Sequence, residues 1–213
     1  MTTWIDIFLL ALVLTDFRLL ASSRLGAIIQ TTVFQAVSLS ACMLLMAVRP
    51  ISIYIIALSI VTFTVKGIIL PWLLRRAMRE ADVQREVRPI IGYSASVLIG
   101  VVLLGLSFII FMPMKETVSG SAFLMPGALF TTLTGLMMII SRKNALTQVA
   151  GYLVMENGIY AFGVILAVEE PLLIEMGVLL DVFVAVFVMG ITVYQISREF
   201  DHIDTDRLSE LKD

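Results

Sequence analysis

The most constraining feature of this 213-residue sequence is a series of long apolar stretches that fill most of its length. Each is close to the ~17–25 residues that cross the hydrocarbon core of a bilayer as a helix. The seven stretches cover about residues 4–21, 27–47, 51–74, 90–111, 122–140, 145–168 and 171–195. We therefore expect an all-α integral membrane protein with seven transmembrane helices, multi-pass in a lipid bilayer.

Composition excludes several classes of function. The chain is 59% hydrophobic and 15% charged, whereas soluble domains carry about 25% charged residues. Its net charge of −2 argues against nucleic-acid binding. With one cysteine, Cys42, and one histidine, His202, the chain lacks the ligands for zinc, haem or iron–sulfur centres. We expect no cofactor and no metal in this chain, and therefore no redox chemistry of its own.

The distribution of basic residues predicts the orientation. Twelve Lys and Arg residues fall on one side of the predicted helices, and two, Arg49 and Lys115, fall on the other. The positive-inside rule then places the N-terminus outside and the C-terminus in the cytoplasm. Residues 4–21 lack the cationic start of a signal peptide, so we expect them to form an uncleaved first helix.

A weak internal repeat suggests a 3+1+3 arrangement. A shift of 121 residues aligns Pro50 with Pro171 and Gln35 with Glu156. Parallel repeats of this kind occur in transporters. The predicted units are a three-helix unit with an Arg-rich cytoplasmic loop (1–89), a linker helix with an outer loop (90–121), a second three-helix unit (122–196) and an acidic cytoplasmic tail (197–213).

Charged residues inside the predicted spans are the candidates for function. Each costs about 2.5–3.5 kcal/mol at the centre of a membrane helix, so it normally faces protein or water. Glu156 lies in the middle of the sixth span beside Asn157, and Asp181 is ten residues into the seventh. Lys66 lies eight residues before the predicted cytoplasmic end of the third span, at residue 74. Asp16 lies near a helix end and is expected to matter less.

These groups are suited to moving a proton. A carboxylate in a low-dielectric interior tends to hold a proton, and a nearby ammonium favours its release. Pro71, five residues after Lys66, removes one helical hydrogen bond and predicts an interrupted helix there. Glu175, near the outer boundary, is a weaker candidate. The alternative is that these polar groups only join neighbouring helices.

Local motifs resemble those of the hydrogenase-4 component E family. They are Ser141-Arg142-Lys143-Asn144 with Gln148, the run from Gly151 to Gly158 around Glu156, Glu175-Met176-Gly177 followed by Asp181, and the pair Lys66 and Pro71. The last three helices are further similar to the small K subunit of respiratory complex I and to the C component of Mrp-type antiporters.

The resemblance implies a membrane subunit of an energy-converting hydrogenase or formate hydrogenlyase complex in a prokaryotic cytoplasmic (inner) membrane. Its implied partners are antiporter-like membrane subunits and a cytoplasmic redox arm that carries nickel–iron and iron–sulfur centres. In the K subunit, buried glutamates on consecutive helices belong to the proton pathway. Glu156 matches the first of them, and Asp181 is the candidate for the second.

Three hypotheses follow for function. The first is a subunit that contributes to a proton or sodium path coupled to redox chemistry in other subunits. The second is a stand-alone seven-helix solute carrier, since small sugar carriers share this layout. The third is a structural anchor without a transport role.

Overall fold

A computed structural model describes residues 2–46, 60–61, 63–80, 89–114, 123–166, 180 and 182–190. Throughout these ranges the regular structure is helical. The helices are α1 (Thr2–Ala21), α2 (Leu25–Met46), α3 (Leu70–Glu80, preceded by a π-helical turn, Val65–Ile69), α4 (Tyr93–Phe111), α5 (Leu124–Ser141), α6 (Ala145–Leu166) and α7 (182–190).

The observed helices follow the predicted apolar stretches closely. α1, α2, α4, α5 and α6 begin and end within three residues of the predicted bounds. By length and apolarity, two helices of the described chain, α4 and α5, are able to cross a membrane. The predicted seven spans, their orientation and the internal repeat remain predictions.

The third helix is longer than predicted. The sequence places a loop at residues 75–89, but the helix continues to Glu80. Leu73, Leu74 and Ala77 are buried along one side of this last part. On the exposed side Arg76 donates to Glu80 Oε1 over 2.8 Å, a pair at i and i+4 that stabilises a helix. Apolar burial on one face and charges on the other therefore extend the helix past its most hydrophobic part.

A π-helical turn lies where Pro71 was expected to interrupt the third helix. It spans Val65–Ile69, and the backbone N–H of Leu70 bonds to the carbonyl of Val65, five residues earlier. Pro71 has no N–H and cannot bond to Gly67. The interruption thus takes the form of a widened turn that contains Lys66, and such turns are frequent at functional sites.

The core between α1, α2, α5 and α6 contains two separate apolar clusters. One lies toward the short turns at residues 22–24 and 142–144, and we call it the turn-side cluster. The other lies farther along the helices, and we call it the far cluster. The turn-side cluster contains Leu19, Leu20, Ile28, Met137, Met138, Ala150 and Val154. The far cluster contains Leu12, Leu39, Ala128, Tyr160 and Ala161.

α5 and α6 pack so closely that a Cβ atom would not fit at several glycines between them. A Cβ atom added to Gly135 would overlap the backbone of Met155, and one added to Gly158 would overlap Thr132. A Cβ added to Gly151 would approach Met138 Cβ to 2.8 Å. Small residues at such crossings are typical of membrane helices, where close van der Waals packing drives association. The glycines around Glu156 therefore fix the position of α6 against α5.

α4 presents its apolar side chains outward. Leu98, Val102 and Ile109 are 69%, 68% and 69% exposed, whereas Ser96, Gly100 and Ser107 face the bundle. This arrangement is the reverse of a helix on the surface of a soluble domain. A surface of this kind is typical of contact with lipid or with another apolar subunit.

Candidate ion-translocation site

The structure brings together two of the charged residues that the sequence singles out. Lys66 Nζ lies 3.0 Å from Glu156 Oε1, and the two side chains are 6% and 3% exposed. Lys66 reaches α6 from the π-helical turn before α3. Its ammonium also lies 5.7 Å from the centroid of the Tyr160 ring, within the range of a cation–π interaction. The result is a buried ion pair whose lysine also contacts an aromatic ring.

The two oxygens of the Glu156 carboxylate are not equivalent. Oε1 faces the lysine, while Oε2 is buried and has no hydrogen-bond partner in the described part of the chain. A carboxylate oxygen can accept hydrogen bonds and, once protonated, can donate one. Glu156 therefore has one oxygen that compensates the charge of Lys66 and another that is able to receive a proton.

Asn157 is buried on a different face of α6. Its side chain is 1% exposed and its Nδ2 has no hydrogen-bond partner among the described residues. Along α6 it lies between Val154 of the turn-side cluster and Ala161 of the far cluster. It therefore faces the centre of the four-helix core, while the neighbouring Glu156 faces Lys66.

Gln35 joins α2 to α1. Its Nε2 donates to Asp16 Oδ1 over 2.8 Å and to Thr15 Oγ1 over 3.0 Å. The side chain is completely buried, and its Oε1 has no hydrogen-bond partner within the described ranges. The sequence indicated Gln35 only through its alignment with Glu156 in the internal repeat, and the structure gives it a specific partner, Asp16.

Asp16, which the sequence ranked low because it lies near a helix end, lies in the interior of the bundle. Asp16 is completely buried; its Oδ1 accepts from Gln35 Nε2, and its Oδ2 lies 2.7 Å from Thr131 Oγ1, at hydrogen-bonding distance. Distance from the helix end was a poor guide, because burial depends on the face a residue occupies. The signal was present in the spacing: Leu12, Asp16 and Leu19 follow one helical stripe, and both leucines are core residues.

Several buried polar residues of the core helices lie at one level of the bundle, between the two apolar clusters. Along α1, Asp16 comes between Leu12 and Leu19, and the other three core helices show the same order. Glu156 shares this level because it adjoins Asn157 on α6. We call this set the polar layer, and its members are Asp16, Gln35, Thr131, Glu156 and Asn157.

Arg142 also differs from its expected environment. The sequence counts it among the basic residues that set the orientation, as if it faced water, yet its side chain is completely buried. It donates to the carbonyl of Leu20 over 2.9 Å, and its guanidinium lies 4.5 Å from the centroid of the Tyr93 ring. Arg142 therefore ties the α5–α6 connection to the end of α1 and the start of α4.

The motif that follows Arg142 forms the start of α6. Asn144 Oδ1 accepts from the backbone N–H of Leu146 at 2.9 Å, as an N-cap residue does. Gln148 Nε2 donates to the carbonyl of Arg142 over 2.8 Å. The polar residues that carry the family resemblance in this segment thus shape the connection into the helix that bears Glu156.

The remaining candidates lie elsewhere. Asp181 and Glu175 fall outside the described residues, and Pro71 follows the π-helical turn that contains Lys66. In the described ranges, no group of three or more His, Cys, Asp or Glu side chains is arranged to hold a metal ion.

Comparison with known proteins supports the family resemblance. The chain is 34% identical to an uncharacterised protein of Mycobacterium tuberculosis over 204 residues, which cover 95% of this chain and 93% of that protein. It is 29% identical to hydrogenase-4 component E of Escherichia coli over 151 residues, 70% of each chain. The same component of Shigella flexneri matches equally well. These matches support the resemblance to the hydrogenase-4 component E family.

The C-terminal half carries a second likeness. Residues 122–213 match the family of NADH-ubiquinone/plastoquinone oxidoreductase chain 4L, the counterpart of the K subunit. This confirms the resemblance to the K subunit expected for the last three helices, and Glu156 lies within the matched region. No solved structure matches the chain at a significant level.

Proposed function

We propose that this chain contributes a buried ion pair, Lys66–Glu156, to a proton path in the membrane arm of an energy-converting hydrogenase complex. Its two families describe membrane subunits of complex I-like assemblies, which supports a membrane location and partner subunits. The observation that carries the proposal is the 3.0 Å contact between Lys66 and Glu156 in the interior of the bundle.

The pair is suited to this role because its net charge changes with a single proton. With Glu156 ionised, the pair is neutral, and its attraction offsets the cost of burying two charges. A proton added to Oε2 removes the negative charge and leaves the ammonium of Lys66 uncompensated in a low-dielectric interior. A charge that moves in a neighbouring subunit can therefore favour uptake or release of this proton.

The redox chemistry belongs to partner subunits. We propose antiporter-like membrane subunits and a cytoplasmic hydrogenase-type arm with nickel–iron and iron–sulfur centres as these partners, in a prokaryotic inner membrane. Asp181 is the proposed next acid on the route, with Glu175 as a further candidate. Asn157 and Gln35 are proposed as supporting polar groups, and Pro71 as the residue that maintains the π-helical turn. Sodium is the alternative ion.

Two other functions remain as alternatives. A solute carrier would work alone, and a structural anchor would not need an ionisable residue at position 156. The Lys66–Glu156 pair favours the first proposal over a sugar carrier, since an acid paired with a lysine is better suited to an ion than to a neutral sugar.

Affinity purification from native membranes tests the assembly. The chain is tagged at its C-terminus, the membranes are solubilised in a mild detergent, and co-purifying proteins are identified by mass spectrometry. Antiporter-like subunits together with a hydrogenase-type redox arm are the expected result. Recovery of the chain alone, stable and monodisperse, would contradict the proposal and favour the carrier.

A further inference from the structure

The hydroxyl group of Thr131 faces two acceptors at hydrogen-bonding distance. Its Oγ1 lies 2.7 Å from Asp16 Oδ2 and 3.0 Å from the carbonyl oxygen of Gly127, one turn earlier in α5. A threonine hydroxyl has a single hydrogen to donate. If Asp16 is ionised, the two acceptors compete for that hydrogen, and only one of the two short contacts is a full hydrogen bond.

A proton on Asp16 resolves this competition. With the proton on Oδ2, Asp16 donates to Thr131 Oγ1, and the threonine donates its own hydrogen to Gly127. Asp16 Oδ1 still accepts from Gln35 Nε2, at 2.8 Å. Every observed contact of the carboxyl group is then a hydrogen bond with its own hydrogen, and none is shared.

The surroundings of α1 also favour a neutral Asp16. Among the described residues, the helices that pack against α1 are α2, α4 and α5, and none of these three helices contains a charged residue. On α1 itself, Arg18 is exposed and two residues away along the helix, on another face. Lys66 pairs with Glu156. A completely buried carboxylate with no counter-ion is costly, so such groups are neutral or paired.

We propose that Asp16 is a second proton-carrying acid of this subunit, protonated in the arrangement that the structure describes. Loss of its proton breaks the O–H bond at Oδ2 and leaves the electron pair on Asp16. The Thr131 hydroxyl then turns from Gly127 to the new carboxylate. We assign the new O–H bond to Glu156 Oε2, which has no hydrogen-bond partner in the described chain.

The inference extends the proposed route into the N-terminal helices, which have no counterpart in the K subunit. Its transport part rests on the proposed function, but the protonation of Asp16 does not. A merely structural Asp16 would stay ionised and hold α1 to α2 and α5. The two roles differ in a property that can be measured directly, the presence of a carboxylic acid C=O group.

The test is infrared difference spectroscopy of the purified complex across a pH step. Wild type is compared with Asp16→Asn, which keeps the size and most hydrogen bonds of the side chain. Glu80→Gln is the matched control, because Glu80 pairs with Arg76 outside the polar layer. We expect the C=O stretch of a protonated acid in wild type and in Glu80→Gln, and its loss in Asp16→Asn. An identical spectrum in Asp16→Asn would overturn the inference.

A second variant covers the case in which Asp16→Asn does not assemble. Thr131→Val removes the hydroxyl but keeps the shape, so the C=O stretch of Asp16 should shift in frequency. An unshifted spectrum would contradict the proposed contact. Pumping by Glu156→Gln separates the two proposals. Normal pumping together with an Asp16 signal would refute the function and leave the protonated acid in place. If Glu156→Gln stopped pumping but no C=O stretch of Asp16 were found, only the proposal that Asp16 is a second proton-carrying acid would be refuted.

Discussion

Lys66 and Glu156 form a buried ion pair with 3.0 Å between Nζ and Oε1, although ninety positions separate them in the sequence. The lysine comes from a π-helical turn and the glutamate from the middle of α6. Both side chains are almost inaccessible to solvent, so each provides the counter-charge that the other needs.

Removal of the lysine alone should destabilise the protein strongly. Lys66→Met leaves Glu156 buried without a counter-charge, and breaking a buried pair typically costs about 3–5 kcal/mol. The double variant Lys66→Met, Glu156→Leu removes both charges and should recover most of that loss. Thermal unfolding of the complex in detergent measures both variants. Arg75→Met, at an exposed position, is the control. A single variant as stable as wild type would show that the pair is not buried as described.

Gly→Ala substitutions should distinguish two effects on stability, the close packing of α5 against α6 and the intrinsic helix propensity of the residue. In an open helical position, Gly→Ala gains up to about 1 kcal/mol, as we expect for Gly105, which has no atom within 4 Å of an added Cβ. Gly135→Ala overlaps the α6 backbone and should lose about 1–3 kcal/mol or more. We therefore predict that the unfolding temperature rises in Gly105→Ala and falls in Gly135→Ala. Equal shifts for both variants would contradict the close α5–α6 crossing.

Arg142 should be sensitive to the shape of its side chain as well as to its charge. Arg142→Ala loses the hydrogen bond to Leu20 and the contact with Tyr93, and a hydrogen bond from a charged group is worth about 1.5–3 kcal/mol. Arg142→Lys keeps the charge but not the planar stacking group, so its stability should be intermediate. Arg75→Ala is the exposed control. If both Arg142 variants matched that control in unfolding temperature, the buried role would be refuted.

The sequence predicted the helices better than their contacts. The bounds of α1, α2, α4, α5 and α6 agree with the apolar stretches of the sequence, because a long apolar run is a local feature that can be read without knowing the tertiary contacts. The extension of the third helix to Glu80 was missed, since the amphipathic end is no longer apolar on every side.

The candidate site was only partly visible in the sequence. The energetic cost of placing a charge inside a predicted span identified Lys66 and Glu156 as unusual residues. Their pairing, however, depends on how α3 and α6 pack. The burial of Asp16 was not predicted, because its position was judged by distance from the helix end rather than by the face that it shares with Leu12 and Leu19. Arg142 was treated as a loop charge because a count of basic residues cannot distinguish a solvated side chain from one packed on Tyr93.

The most direct test of the central proposal is the number of protons moved per redox turnover in inverted membrane vesicles that contain the intact complex. Glu156→Gln keeps the size of the side chain but cannot carry the proton, and Glu80→Gln serves as the control for loss of a carboxylate. We expect Glu156→Gln to assemble and to move few or no protons per turnover, while the control matches wild type. An unchanged ratio in an assembled Glu156→Gln complex would contradict a role for Glu156 in the path.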